Sequence, residues 1–236
     1  MQRTNEMRPL RRGQEGGNTI IEFALVMTFL VPMFAGAFTI GAAVARGIQV
    51  SNVARDAVIL LVRTTTDPNS GLDLSKAQNQ RIIVRAAAGL GMNADAQNNP
   101  SSTGKAAMFL SKVIMVGDFE CSVGITPTPA GAPPWNAGNC PNYGKYVFAY
   151  RVDIGNDTTW SSVLGKPGAS VQADGTITAS DIASNSTVRV ANFETIMNLV
   201  LTKSTFALIS EMYADVGYLN FFNVLKNPVL YARSVS

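Results

Sequence analysis

Residues 23–45 form a run of 23 uncharged residues between Glu22 and Arg46. A helix rises about 1.5 Å per residue, so this run spans roughly 35 Å, enough to cross a hydrocarbon core of about 30 Å. Pro32 lies inside the run, and membrane helices tolerate proline because their surroundings satisfy the freed backbone groups. The sequence therefore predicts a single N-terminal transmembrane helix, assigned to residues 18–45.

Basic residues before this run predict its orientation. The segment 1–17 is a polar, basic leader that carries Arg3, Arg8, Arg11 and Arg12. Positive charge before a first span favours a cytoplasmic N-terminus, which places residues 46–236 outside the cytoplasm as the head. Two alternatives remain: an uncleaved signal anchor with no further role, and a secretory signal cut after Ala37 or Ala45.

The composition excludes several classes of protein. The net charge of +3 argues against a nucleic-acid-binding protein that relies on bulk positive charge, and we expect no nucleic-acid partner. The chain has no histidine, which removes Ser-His-Asp and Cys-His catalysis and histidine zinc sites. We expect no enzyme activity, no cofactor and no metal, and a binding or structural role instead.

Glu22 is unusual because a carboxylate near the start of an apolar helix is costly unless it is paired or lies at headgroup level. Gly16 and Gly17 just upstream predict an accessible, flexible stretch that suits a protease. Cleavage after Gly17 would make Asn18 the first residue and Glu22 the fifth. Glu22 of one subunit would then pair with the new amino group of the next and set their axial stagger. The simpler alternative is a carboxylate at the membrane surface near the helix N-terminus.

The segment Arg11–Val26 (RRGQEGGNTIIEFALV) resembles the N-terminus of type IV pilin-like proteins. It is most similar to the TadE/TadG-like minor pilins of the tight-adherence (Flp) system. Those chains have a short basic leader, a glycine at the cut, a glutamate five residues later, and then an aromatic residue and an apolar helix. Gly17, Glu22 and Phe23 match that pattern.

The resemblance implies a minor pilin or pseudopilin of the bacterial inner membrane whose leader is removed by a prepilin peptidase. Its expected partners are the membrane, other pilins, the pilus-assembly platform and that peptidase. A role in adhesion or in a related secretion system follows from the same resemblance. The alternative is a single-pass envelope protein whose head binds a ligand or partner without forming a filament.

Hydrophobic periodicity predicts that the helix continues beyond the span. Apolar residues recur at helical spacing, with polar residues on the other side of the helix. The apolar set is Val50, Val53, Ala54, Ala57, Val58 and Leu61. One helix from about Asn18 to Thr64 is therefore expected, with a break near Gly47 as the alternative.

The head is expected to be an α+β unit with an antiparallel sheet against the long helix, as in pilins. A second helix is predicted over 73–90, and strands over 106–116 and 145–154, with a short helix as the alternative for 106–116. Residues 205–216 and 228–235 are further strand candidates. In the second strand, alternation predicts that Tyr146, Phe148, Tyr150, Val152 and Ile154 share one face. Residues 156–187 are predicted to be a long surface excursion, and 187–201 are ambiguous. The residues around Glu211 and Arg233 are similar to the C-terminal stretch of TadE/TadG-like proteins.

Cys121 and Cys140 are predicted to form a disulfide if the head lies outside the cytoplasm. Two free thiols are the alternative. Trp135, among several prolines of this loop, is equally compatible with a displayed contact residue and with a cover for the disulfide.

Motifs that would indicate catalysis or metal binding are weak. Ser102–Lys105 matches S-x-x-K, the start of a serine–lysine site, but no partner motif follows. Asn93, Asp95 and Gln97 resemble half of a calcium loop, and Asp153, Asn156 and Asp157 cluster near a turn. Ordinary turn residues are the favoured interpretation of both groups.

Overall fold

A computed structural model of the chain describes residues 16–66, 74, 76–92, 104–125, 134–168, 171–217 and 229–236. Its longest element is helix α1, Gly16–Thr66, which continues without a break past Gly47 and contains Pro32. The continuous helix is therefore confirmed. Residues 1–15 of the predicted leader lie outside the described residues.

The second half of α1 packs on the head through the predicted stripe. All six apolar residues of that stripe are buried, whereas Asn52, Asp56 and Arg63 on the other side are exposed. Helix α2, Ala77–Ala86, packs beside α1 and is shorter than the predicted span 73–90. After α2, the chain turns through Gly89 and Gly91, both of which have positive φ angles.

A four-stranded antiparallel sheet lies against α1. Its strands are β1, Ala106–Met115; β2, Tyr146–Gly155; β3, Phe206–Asp215; and β4, Val229–Val235. The order across the sheet is β2-β1-β3-β4. All four strands were predicted within two residues of these bounds, and the expected α+β class with a long N-terminal helix is confirmed.

A register shift divides the residues of β2 between the two faces of the sheet. Lys112 pairs with Tyr150 and Val113 with Phe148, so Ala149 is an extra residue in β2. Because a bulge reverses the alternation of side chains, Tyr150 lies in the hydrophobic cluster under α1, whereas Phe148 lies in the cluster on the other face. The prediction of one shared face for the whole strand is therefore wrong.

The second face of the sheet, away from α1, is covered by the segment between β1 and β2 and by the segment between β2 and β3. Three short helices contribute to this layer: α3, Asp118–Gly124; α4, Ala179–Ser184; and α5, Phe193–Met197. Leu164, Ile177 and Val188 are buried there together with Phe148. The prediction that 156–187 form a surface excursion is thus wrong. The segment is mostly polar, but its few apolar residues pack into the hydrophobic cluster on this face of the sheet.

Candidate assembly surface on the N-terminal helix

The first half of α1 exposes almost all of its apolar side chains. Fourteen large hydrophobic residues between Ile20 and Ile48 are at least 40% exposed, and among them Phe29, Phe34 and Phe38 are each about two-thirds exposed. Exposed apolar surface of this size requires lipid or a protein partner. The described head does not cover this half of the helix.

The polar groups within this half are satisfied inside the helix. Thr28 and Thr39 donate their hydroxyls to the carbonyls of Ala24 and Ala35, at 2.8 and 2.7 Å. Among the described residues, one helix is long and apolar enough to cross a membrane, Thr19–Thr64, and its most apolar window has a mean hydropathy of 2.1 and no buried residue. This helix is suited to membrane anchoring.

The residues expected to direct processing and assembly lie at the start of this exposed half. Glu22 and Phe23 are both exposed, and no described residue forms an ion pair with Glu22. Gly17 and Asn18 belong to the first turn of α1, which begins at Gly16. The backbone at Gly16 and Gly17 is therefore helical, whereas the sequence predicted a flexible stretch there.

The head contacts the helix where the apolar run ends. Gln49 donates a hydrogen bond to the carbonyl of Ala88 at 2.8 Å, and it accepts one from Arg46 at 2.8 Å. A Cβ atom on Gly89 would lie only 2.8 Å from the Arg46 guanidinium, so the turn after α2 is packed against this point. The start of β1 follows closely, because Lys105 donates its N–H to the carbonyl of Gly91.

The disulfide lies at the opposite end of the head. Cys121 and Cys140 are joined, with their Cα atoms 5.8 Å apart, and both are buried beside the last residues of β1. Trp135 is buried in the same cluster as the two cysteines and is therefore not a displayed contact. Asn142 supports this end, because its amide donates to the carbonyls of Asp181, Ile182 and Asn185.

A buried carboxylate ties the sheet to the second layer. Glu211 of β3 is completely buried and accepts hydrogen bonds from the Ser162 hydroxyl, from the Val163 N–H at 3.3 Å and from the Tyr231 hydroxyl at 3.0 Å. Burial, followed by the Glu211 charge, raises the pKa of Tyr213 to about 12. The same two causes raise the pKa of Tyr231 above its usual range.

Arg151 lies on the same face of the sheet and is also buried. It pairs with Asp153, donates to the Ser111 hydroxyl at 2.9 Å and lies over the ring of Phe109, with its guanidinium carbon 4.9 Å from the ring centroid. Arg151 lies on the face of the sheet away from α1, and the second layer covers that face.

The described residues offer no metal site. No group of three or more acidic or cysteine side chains could hold an ion there. Asp153 pairs with Arg151, and the Asn156 side-chain oxygen accepts from Thr158 and Thr159 at 2.7 and 3.1 Å, which is turn geometry. Burial and the neighbouring Asp153 raise the pKa of Asp157. The residues 93–97 and 102–103 of the other two weak motifs lie outside the described part of the chain.

Thus the structure does not bring the candidate residues together into one site. The processing and assembly residues lie at one end of α1, and the disulfide lies at the far end of the head. Glu211, Ser162 and Arg151 were not predicted as a group. For Glu211 and Arg151, the signal that could have found them is a charged residue inside a strand, whereas Ser162 lies outside the strands and carries no such signal.

A family model described as TadE-like protein matches residues 17–58. The match begins at Gly17, includes Glu22 and Phe23, and ends within the part of α1 that packs on the head. It confirms the resemblance seen in the sequence and associates the chain with the tight-adherence pilus. No curated protein and no solved structure matches the chain.

Proposed function

We propose that this protein is a minor pilin or pseudopilin that takes part in assembling or anchoring a tight-adherence-type pilus. The proposal rests chiefly on the exposed apolar half of α1, which continues without a break into the half that holds the head. Such a helix can leave the lipid and pack against other helices while its head stays folded. The TadE-like match over this helix supports the same proposal.

In this proposal, a prepilin peptidase in the inner membrane removes the basic leader after Gly17, and the head lies outside the cytoplasm. Glu22 then pairs with the new amino group of Asn18 in an adjacent pilin. Because both groups lie in an apolar environment, each would be costly without the other, so the pair fixes the stagger between subunits. Phe23 and the apolar residues after it supply the packing surface toward other pilins and the assembly platform.

The test of leader processing is the mass and N-terminal sequence of the mature chain, with and without a co-expressed prepilin peptidase. We expect a chain that begins at Asn18 only when the peptidase is present. Retention of the full leader would instead favour an anchored protein whose head binds a ligand. A start after Ala37 or Ala45 would indicate a secreted head.

The test of Glu22 is pilus assembly by the Glu22→Ala and Glu22→Gln variants. We expect both to insert into the membrane normally and to impair assembly, because neither carries the charge that pairs with the amino group. Thr28→Ala is the matched control, since it also removes an exposed polar group from the same helix. Normal assembly by the Glu22 variants would refute the role given to this carboxylate.

A further inference from the structure

A groove of about 260 Å³ runs between α1 and α2 on the outer side of the head. Its base is formed by the buried residues Val53, Ala57 and Ile83. Two large aliphatic residues stand at its edges without cover, Ile59 on α1 at 51% exposure and Ile82 on α2 at 45%. The groove is therefore mainly apolar and open to the surroundings, with Asp56 and Arg63 as the two charged residues of its lining.

The two helices around this groove are strongly basic. Between residues 46 and 92, the described chain has one acidic residue, Asp56, and six basic residues: Arg46, Arg55, Arg63, Lys76, Arg81 and Arg85. The described head from residue 104 onward has eight basic and nine acidic residues, so its charges nearly balance. The positive charge of the head is thus concentrated on the two helices that form the groove.

Several of these arginines are positioned beside the groove. Arg63 lines it directly, and Arg55 and Arg63 lie one turn before and one turn after Ile59 on the exposed side of α1. Arg81 and Arg85 are exposed and lie close to Ile82 on α2. A mainly apolar channel with four arginines and one carboxylate, Asp56, on its two helices matches an amphipathic helix whose apolar stripe is flanked by carboxylates.

We infer that the groove between α1 and α2 binds an acidic amphipathic helix of a different protein. A second copy of this chain fits less well, because its exposed helical segment Thr19–Ala45 carries one carboxylate, Glu22, and would leave most of the arginines unused. A lipid surface also fits less well. Val53 is eight residues beyond Ala45, so the groove begins roughly 12 Å above the end of the apolar run and extends away from it.

The groove is tested with the full-length protein in detergent micelles and a labelled synthetic peptide. The peptide is a helix of about 18 residues with leucines at helical spacing and glutamates on both sides of them. A second peptide has lysines in place of the glutamates. We expect the acidic peptide to bind more tightly than the basic one, with an affinity that falls as salt is raised.

Variants of the groove distinguish binding at this surface from nonspecific binding of the peptide. Ile59→Glu and Arg63→Glu should each weaken binding of the acidic peptide by about tenfold or more, because one removes an apolar anchor and the other reverses a flanking charge. Val200→Glu is the matched control. Val200 is 71% exposed and lies after α5 on the other side of the sheet, so binding should not change. Equal binding of both peptides, or binding unaffected at Ile59, would overturn the inference.

The partner in the cell is tested with a photo-crosslinking amino acid at position 82. We expect adducts with a peptide from another protein that has the sequence of an acidic amphipathic helix. Adducts with this chain itself, or with lipid, would overturn the inference in favour of the other two occupants. The outcome is separate from the proposed role in the pilus, because leader cleavage and the effect of Glu22→Ala can succeed or fail independently of the groove.

Discussion

Replacing Glu211 by alanine should be among the most destabilising changes in the head. The substitution leaves the Ser162 hydroxyl, the Val163 N–H and the Tyr231 hydroxyl without their acceptor. An unsatisfied buried donor costs about 1–3 kcal/mol. Ser162 is buried, whereas Tyr231 is partly exposed and can turn toward water, so we expect a total loss of about 2–4 kcal/mol. Glu211→Gln keeps one oxygen acceptor and should lose about half as much.

Glu194 provides a matched control. Its carboxylate also accepts a tyrosine hydroxyl, from Tyr146 at 2.7 Å, but Glu194 is exposed. Water can replace the lost partner there, so Glu194→Ala should cost less than about 1 kcal/mol. The assay is urea denaturation of the full chain in detergent, monitored by the fluorescence of the two tryptophans of the head, Trp135 and Trp160.

Equal losses of stability in the two alanine variants would refute this reasoning. Such a result would mean that Glu211 does not hold the second layer on the sheet through its hydrogen bonds. A smaller loss in Glu211→Ala than in Glu211→Gln would also contradict it, because the glutamine retains part of the acceptor set.

Three further predictions concern the packing, the disulfide and alkaline pH. Leu61→Ala should lower the free energy of unfolding by about 3–5 kcal/mol because Leu61 is fully buried. Ile59→Ala, at a half-exposed site, should lower it by less than about 1 kcal/mol. Denaturation of both variants measures the difference. Reduction of Cys121–Cys140 should cost about 3 kcal/mol, measured as a shift in denaturation midpoint with and without reductant, and no shift would contradict it. The free energy of unfolding should fall between about pH 10 and 12. The reason is that the unfolded chain releases the Tyr213 proton near pH 10, whereas the folded head retains it to about pH 12. Denaturation across this range should show a shallower fall for Tyr213→Phe.

The parts of the structure that periodicity determines could be predicted from the sequence. The stripe from Val50 to Leu61 repeats with the period of a helix, and its burial against the sheet follows directly. The four strands were also predicted, most clearly 145–154 from its alternation, whereas a short helix was an alternative for 106–116. The exposed half of α1 and the acidic position at Glu22 were also evident, because a long uncharged run has few alternatives in a folded protein.

The remaining features depend on contacts between distant parts of the chain. The extra residue at Ala149 has no signature in the local sequence, yet it sends Phe148 and Tyr150 to opposite faces of the sheet. Residues 156–187 have the composition of a loop, and their few apolar residues gave no sign of the surface that they cover. The burial of Arg151 follows from that cover. The groove could not be predicted because it exists only where α2 packs beside α1.

Because α1 is continuous, the direction in which the head faces around the helix axis is fixed relative to every residue of the span. A helix turns by about 100° per residue, so the 28 residues from Glu22 to Val50 separate these two side chains by roughly 80° around the axis. The centre of the buried stripe lies about 10° from Val50, so Glu22 is roughly 70° from that centre. Under the proposed pairing, the contact at Glu22 would therefore also set which way the sheet and the groove face around the filament. Inserting one residue into the span would rotate the head by about 100° while raising it by only about 1.5 Å. The number of residues between Glu22 and Val50 therefore sets the direction in which the head faces around the axis of α1.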